Sequence, residues 1–208
     1  SIKNGPQQTP LFSPDGNQIA FVRDNNIFLI QLLNDNAEVQ VTKDGRWNEV
    51  INGIPDWVNE EEFGFSRAMV WTADSKQLVW IRYDESDVKQ YSMPLFKGLK
   101  PERMEYADYP GLYTYKYPIA GERNATCTVW SYDVSSCQTC QLQVPLDADG
   151  YIPRIVMTSD PQRVAVYSLN RHQDCLCIYM ANPLTTKSVL AIEDEVARYI
   201  KDDAINSI

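Results

Sequence analysis

The sequence predicts an all-β chain that forms part of a β-propeller of four-stranded antiparallel blades. A ten-residue pattern beginning at Phe12 recurs at Trp71 and at Met157, and each copy has aspartate in its fourth place. The eighth and tenth places are apolar in every copy, which is the alternation of a half-buried strand. Two more strand-like runs follow each copy, and repeated four-stranded units of about 40 residues are typical of propeller blades.

The first predicted blade covers residues 9–42. Asp15 and Gly16 predict a tight turn, because both residue types favour turn conformations, and apolar alternation resumes directly after them. The blade is therefore expected to begin with a hairpin and to continue with two more strands. The four expected strands are residues 10–13, 18–23, 27–32 and 38–42.

The second and third predicted blades cover residues 67–144 and 151–192. The second blade is complete only if an insertion at residues 84–125 leaves the blade and returns to it. The expected strands are residues 67–71, 77–83, 126–133 and 138–144 in the second blade and 153–158, 163–169, 175–180 and 187–192 in the third. Residues 202–208 are expected to open a further blade.

About three blades cannot close a ring, since propellers have roughly four to eight blades. We therefore expect residues 1–208 to be a fragment of a larger propeller domain. Two alternatives remain open at this point. They are a β-sandwich made from the same strands and a smaller closure with unusual partners.

Two insertions interrupt the predicted blades, and insertions on a rigid scaffold often carry function. Residues 43–66 join the first blade to the second, and within them Pro55 and Asp56 predict the start of a short helix with Asp56 as its N-cap. Residues 84–125 are rich in tyrosine and proline and have a charged middle. Their length and composition predict an arm that leaves the blade.

Three consecutive glutamates, Glu60, Glu61 and Glu62, lie between the aromatic residues Trp57 and Phe63. An acidic run near a helix start is stabilised by the helix dipole and is usually a solvated face. The alternative is a cation-binding site, because neighbouring helix positions diverge by about 100° and two carboxylates can hold a ligand between them. The pattern alone favours the solvated face.

The charge balance argues against nucleic acid as a partner. The net charge is −9, and lysine and arginine form no cluster that could bind phosphates. No apolar run approaches the roughly 20 residues of a membrane span. Residues 1–9 lack the features of a signal peptide, so a targeting segment of an exported parent protein is expected to lie outside this chain.

The sequence contains no catalytic motif. The Gly-x-Ser-x-Gly nucleophile motif, the His-Glu-x-x-His zinc motif and the phosphate-binding glycine loop are all absent. The only histidine, His172, lies in a polar turn at residues 170–174, where we expect an ordinary surface side chain. We therefore predict no catalytic residue in this chain.

The five cysteines do not predict a disulfide framework, because their number is odd. Cys137 with Cys140 and Cys175 with Cys177 could together form a four-sulfur zinc site. However, a Cys-x-Cys pair in a strand points both thiols to one face and makes a poor zinc knuckle. We expect the cysteines, including Cys127, to be small apolar side chains with at most one disulfide, and we predict no metal and no cofactor.

Three motifs resemble the dipeptidyl peptidase IV family of the prolyl oligopeptidase class. They are Asn52-Gly-Ile-Pro-Asp-Trp-Val-Asn-Glu-Glu-Glu-Phe63, Arg67-Ala-Met-Val-Trp71 and Arg82-Tyr-Asp-Glu-Ser-Asp-Val88. The end of the arm, Tyr115-Lys-Tyr-Pro-Ile-Ala-Gly-Glu-Arg-Asn124, also resembles the family. The sequence departs from the family pattern at Asn59, where a tyrosine is expected, and at Gly64 and Phe65.

The resemblance implies an eight-bladed propeller that caps an α/β-hydrolase domain, with a Ser-Asp-His triad in the hydrolase domain outside this chain. The enzyme would release Xaa-Pro or Xaa-Ala dipeptides from free amino termini. The family's paired glutamates, which bind the ammonium group of the substrate, correspond to Glu61 and Glu62, and Glu60 is then structural. The family also uses an arginine from an earlier part of the propeller to hold the substrate carbonyl.

The resemblance also implies the partners and the location of the parent protein. The partners would be peptides with a free amino terminus, the hydrolase domain of the same chain and a second copy, because the arm corresponds to a segment with dimer contacts. The parent would be exported to the periplasm, the cell envelope or the extracellular space. The rival hypothesis is a non-catalytic β-propeller that only binds protein partners.

Overall fold

The computed structural model describes residues 5–201 and residue 205. Within residues 5–201, fifteen strands form four antiparallel sheets, accompanied by one α-helix, α1 (Trp57–Phe63), and a short 3-10 helix (Met104–Tyr106). No helix in the described range is long and apolar enough to cross a membrane. The predicted all-β antiparallel fold with a short helix at the glutamate motif is confirmed.

Sheet 1 is a meander in which each strand pairs with the next one along the chain. Its strands are β1 (Gln8–Phe12), β2 (Gln18–Arg23), β3 (Asn26–Gln31) and β4 (Ala37–Gln40). The aspartate of the repeat closes the turn between β1 and β2, because Asp15 Oδ1 accepts hydrogen bonds from Ser13 Oγ at 2.5 Å and from the Asn17 backbone at 3.0 Å. The equivalent Asp74 accepts from Thr72 Oγ1 at 2.7 Å, which explains why the repeat retains this aspartate.

Sheet 2 is built from five strands that are not consecutive in the chain. The next seven strands are β5 (Val50–Asn52), β6 (Met69–Trp71), β7 (Gln77–Asp84), β8 (Gln90–Leu95), β9 (Gly111–Lys116), β10 (Thr126–Asp133) and β11 (Gln138–Gln141). Strands β11, β10 and β7 pair in that order, and both β5 and β6 pair with the other edge of β7. Strands β8 and β9 pair with each other and form a two-stranded ribbon within residues 85–125, which we call the arm.

Sheet 3 repeats the meander of sheet 1. Its strands are β12 (Tyr151–Met157), β13 (Val164–Leu169), β14 (Cys175–Ala181) and β15 (Ser188–Glu195). The expected opening of a further blade at residues 202–208 lies outside the described residues, except for Ile205, which is buried.

Sheet 2 buries both of its faces, which explains how the three larger sheets hold together. Leu78 and Trp80 belong to a core cluster shared with sheet 1, whereas Val79 and Ile81 belong to a cluster shared with sheet 3. Successive side chains of a strand point to opposite faces, so a continuous apolar run can pack against a neighbour on each side. Stacking of sheets face to face is the arrangement that a β-propeller requires.

One part of the sequence-based assignment needs correction. Residues 43–66 are expected to join two blades, but residues 50–52 within them form β5, a strand of sheet 2. The edge strand of sheet 2 is therefore split into two short pieces, and sheet 2 has five strands instead of four. Helix α1 lies in the excursion between those pieces, not in a linker that precedes the sheet.

Candidate functional site

Helix α1 projects from an interrupted strand whose two halves lie along the same edge of β7. Asn52 in β5 pairs with Arg82, and Met69 in β6 pairs with Trp80, so residues 53–68 leave the sheet between them. The backbone N–H of Ala68 donates to the Gly53 carbonyl at 2.9 Å and closes the base of this excursion. The helix is thus held at both ends by a paired strand.

Both ends of α1 are capped, which defines the length of this short helix. The side chain of Asp56 accepts a hydrogen bond from the backbone N–H of Asn59 at 3.0 Å, as predicted for the N-cap. Gly64 adopts a left-handed conformation with φ of 65°, and its N–H donates to the Glu60 carbonyl at 3.1 Å. Glycine is favoured at this position because it has no Cβ to oppose a positive φ.

The buried side of α1 anchors the helix to the rest of the chain. Asn59 is buried, and its side-chain amide donates to Asp56 Oδ1 at 2.6 Å. Phe63 is also buried, and its ring packs against Tyr151 of β12 at a centroid distance of 5.5 Å. The departure from the family pattern at Asn59 therefore lies on the buried side of the helix, away from the exposed glutamates.

Glu60, Glu61 and Glu62 are all exposed. Among the described residues, none of their carboxylates forms a hydrogen bond or an ion pair. Glu60 lines one cavity and Glu62 lines another, because helix positions two residues apart point to different sides. Glu61 lies between them, so the predicted pair, Glu61 and Glu62, is available to a cationic ligand from outside this chain.

The cavity on the Glu60 side has a volume of about 400 Å³ and lies between α1, the arm and the turn that joins β2 to β3. It is predominantly acidic. Its charged lining residues are Asp24, Asp56, Glu60, Glu85 and Lys116, and its aromatic lining residues are Trp47, Trp57, Tyr113 and Tyr115.

Two of these carboxyl groups are buried and lie close enough to influence each other. Burial raises the pKa of Asp56 from its ordinary value, although the hydrogen bonds from Asn59 oppose this shift. The pKa of Glu85 is raised to about 7, mainly by burial and also by the negative charge of Asp56, whereas the charge of Lys116 lowers it. The Lys116 ammonium group donates to the carbonyls of Ser86 at 3.0 Å and Val88 at 2.7 Å.

Glu85 and Lys116 are buried residues of this site that the sequence pattern does not single out. Glu85 appears in the third family-like motif, and Lys116 appears at the end of the arm. Both residues are buried where the two ends of the arm meet, because the Lys116 ammonium group donates to the Ser86 carbonyl 30 residues earlier in the chain. The only sequence signal for Glu85 is its place in that motif.

The cavity on the Glu62 side is smaller, with a volume of about 330 Å³, and lies between α1, the end of the arm and sheet 3. Trp57 separates it from the acidic cavity, and the Trp57 ring packs on Tyr117 at a centroid distance of 4.4 Å. Arg171 contributes a cationic group to this second cavity, and its Nη2 donates to the Glu122 carbonyl at 2.7 Å. The helix therefore divides two polar recesses of different charge.

The remaining candidate residues lie apart from α1 in the sequence. His172 is exposed in its turn, as expected for a surface side chain. All five cysteines are free thiols, so the structure contains none of the disulfides allowed for by the sequence. Cys140 is exposed on β11 of sheet 2 and Cys137 is exposed in the turn before it, whereas Cys175 and Cys177 are half-buried on β14 of sheet 3.

Comparison with solved structures shows which class of protein contains this fold and helix. The chain superposes on the crystal structure of Porphyromonas gingivalis dipeptidyl peptidase 4 with a TM-score of 0.90 and 44% sequence identity, covering 97% of this chain and 28% of that one. It also matches a putative dipeptidyl aminopeptidase IV from Bacteroides ovatus with a TM-score of 0.77 at 20% identity, over 95% of this chain and 25% of that one. The second match supports the fold alone. The fold is thus that of a β-propeller region of a dipeptidyl peptidase.

Sequence comparisons define the family. The family model for the dipeptidyl peptidase IV (DPP IV) N-terminal region matches residues 1–207, and the chain belongs to this family. A probable dipeptidyl-aminopeptidase B from Pyrenophora tritici-repentis is 35% identical over 187 residues, which are 86% of this chain and 21% of the relative. A probable dipeptidyl-aminopeptidase B from Aspergillus terreus is 33% identical over 204 residues, which are 94% of this chain and 22% of the relative. The chain therefore spans about a fifth of the length of these curated relatives.

Proposed function

We propose that this chain is the substrate-recognition region of an exported serine exopeptidase that releases Xaa-Pro or Xaa-Ala dipeptides from peptide amino termini. In this proposal Glu61 and Glu62 bind the α-ammonium group of the substrate. The proposal rests on the exposure of these two carboxylates, which have no charged partner among the described residues. They also lie on a helix that is capped at both ends and held by a paired strand.

The chemistry of the ligand agrees with this arrangement. An α-ammonium group has a reference pKa of about 7.7–8.0 and offers three hydrogen-bond donors. Two carboxylates can satisfy two of those donors and keep the group charged near neutral pH. A fixed ammonium position sets the distance from the amino terminus to the bond that is cleaved, so cleavage would follow the second residue of the substrate.

Product analysis tests this function. The full-length parent protein is expected to release the intact Gly-Pro dipeptide from a peptide that begins with Gly-Pro, as detected by mass spectrometry. The 208-residue chain alone is expected to release no dipeptide, because its sequence contains no serine nucleophile motif. Release of single amino acids, or cleavage inside the peptide, would contradict the proposed exopeptidase. A parent that cleaves nothing would favour the protein-binding propeller instead.

We also propose that the arm contributes to a homodimer of the parent protein. The arm exposes large apolar side chains at its tip, where Phe96 is 66%, Leu99 is 95% and Tyr109 is 83% exposed. Contiguous exposed apolar residues are characteristic of protein–protein interfaces, and tyrosine is enriched there because it combines apolar area with a polar tip. A second copy of the chain would bury this surface.

Shortening the arm is expected to shift the parent from dimer towards monomer in analytical ultracentrifugation. Leu95 and Gly111 pair across the ribbon, so residues 96–110 can be replaced by an Asn-Gly turn that leaves the rest of the ribbon paired. The matched control is Leu184→Glu, which changes an apolar residue that is 60% exposed in the turn between β14 and β15. A shortened variant that stays dimeric would show that the arm tip is not the interface.

A further inference from the structure

Two thiols and two carboxylates oppose each other across the last two strands of sheet 3. In the antiparallel pairing of β14 with β15, Cys175 lies opposite Glu195 and Cys177 lies opposite Glu193. Directly opposed residues share a face of the sheet, with Cβ atoms about 4.5–5.5 Å apart. The two cysteines are two positions apart on one strand, so their side chains also point to that same face. This orientation is poor for the four-sulfur site weighed from the sequence, but it directs both thiols towards a carboxylate of the opposite strand, which the sequence did not reveal.

The distances within this group suit a tetrahedral metal ion. The Sγ atoms of Cys175 and Cys177 are 3.9 Å apart. Each of these sulfurs lies within 4.8 Å of a carboxylate oxygen of Glu193. Two thiolates bound to zinc at about 2.3 Å in tetrahedral geometry lie about 3.8 Å apart, which is close to the separation found here.

The electrostatic surroundings of the group favour a cation. Neither Glu193 nor Glu195 forms an ion pair or a side-chain hydrogen bond with any residue in the described part of the chain. Both carboxylates are exposed at the edge of the sheet, and the two thiols are half-buried beside them. A divalent cation could therefore reach the group from solvent and would offset its negative charge.

We propose that Cys175, Cys177 and Glu193 form a binding site for a thiophilic divalent cation of the zinc class. Water completes the tetrahedral coordination, and Glu195, which lies opposite Cys175, adds a further negative charge beside the site. Two sulfurs with one carboxylate oxygen form a donor set that zinc accepts and that hard cations such as Mg²⁺ do not prefer. The bound ion joins β15, the edge strand of sheet 3, to β14.

The geometry favours a metal ion over a disulfide between the same two cysteines. Residues two apart in an extended strand have Cα atoms about 6.4–6.8 Å apart, at the upper end of the range that disulfides span. Bond formation would also require the sulfurs to approach from 3.9 Å to about 2.05 Å. A zinc ion requires almost no displacement of either sulfur.

A metal titration of the reduced, metal-free parent protein tests the site. One equivalent of Zn²⁺ is expected to bind in competition with a chromophoric chelator, and Co²⁺ is expected to give the near-ultraviolet charge-transfer band of cobalt–thiolate coordination. The double substitution Cys175→Ser with Cys177→Ser is expected to abolish both signals. Glu193→Gln is expected to weaken Zn²⁺ binding at least about tenfold, because one of three protein ligands is lost. Since Glu193 is exposed, this second variant should fold normally.

The other close cysteine pair of the chain provides the matched control. The double substitution Cys137→Ser with Cys140→Ser removes two exposed thiols from β11 and the turn before it, and is expected to leave Zn²⁺ binding unchanged. Zinc binding that is lost in this control, or that survives in the Cys175 and Cys177 double variant, would overturn the proposal. So would the absence of binding at micromolar Zn²⁺, or a Cys175–Cys177 disulfide found by peptide mass spectrometry without reduction.

Discussion

Replacement of Glu61 or Glu62 by glutamine in the parent protein is expected to lower kcat/KM for a Gly-Pro substrate by about ten- to a thousandfold. Each substitution removes a charge from the proposed ammonium site while keeping the size of the side chain. Both residues are exposed and have no partner within the described chain, so the loss should come from substrate contacts and not from misfolding.

The size of the expected effect follows from two contributions. A hydrogen bond to a charged group contributes about 1.5–3 kcal/mol, which corresponds to roughly a ten- to hundredfold change. A substrate that loses one anchor also places its scissile carbonyl less accurately, and small errors of position reduce the rate further. Neither glutamate takes part in bond cleavage in this proposal, so the double variant is expected to be nearly inactive through failure to hold the substrate.

The same helix offers a matched control. Glu60→Gln also removes one exposed negative charge from α1, but Glu60 lines the acidic cavity on the other side of the helix. This variant is expected to keep kcat/KM within about threefold of the unmodified enzyme, since an exposed charge without a partner contributes little. Circular dichroism and melting temperature would verify the fold of all three variants.

An acetylated substrate tests the same contact from the ligand side. Acetylation removes the positive charge of the amino terminus, so N-acetyl-Gly-Pro substrates are expected to be refused by the unmodified enzyme. Near-normal kcat/KM in a folded Glu61→Gln or Glu62→Gln variant would contradict the ammonium-binding role. Equal cleavage of free and acetylated substrates would contradict it as well, and the glutamates would then be a solvated face.

The strands of sheets 1 and 3 can be predicted from the sequence because their signals are local. The turn at Asp15 and the alternation after it lie within ten residues, and the same signals recur at Asp74 and Asp160. Strand β5 cannot be recognised in this way, because it contains only three residues and so short an apolar run has no periodicity. The position of α1 inside an interrupted strand is therefore visible only in the structure.

The candidate site is predictable only in part, for a related reason. The N-cap role of Asp56 follows from local chemistry, and Glu61 and Glu62 are singled out by the resemblance of their motif to a known family. Glu85 differs, because its surroundings are created by the arm, whose Lys116 returns to the backbone at Ser86. Burial that results from contacts between distant segments leaves no periodic signal in the sequence.

The buried carboxyl group of Glu85 is expected to make the stability of the folded protein fall as pH rises. The folded-state pKa of Glu85 is about 7, compared with an ordinary value of 4.5, and burial is the main cause. Between about pH 4.5 and pH 7 the folded state retains a proton that the unfolded chain has released, so stability falls as pH rises through this window. The difference between these two pKa values corresponds to roughly 3 kcal/mol of stability lost by about pH 8.

Glu85→Gln is expected to remove this loss, because a neutral amide of similar size needs no charge in the buried position. The variant should melt at a temperature close to that of the unmodified protein at about pH 5, where Glu85 is protonated in the folded state, and at a clearly higher temperature at about pH 8.

Asp84→Asn is the matched control at the adjacent position. Burial tends to raise the pKa of Asp84, but hydrogen bonds from Ser86 and the charge of Arg82 outweigh it and leave that pKa lowered. This control should therefore lose stability at about pH 8. Equal melting temperatures of Glu85→Gln and the unmodified protein at both pH values would show that the Glu85 carboxylate is already compensated, with the Lys116 ammonium group, whose charge lowers the pKa of Glu85, as the source of that compensation.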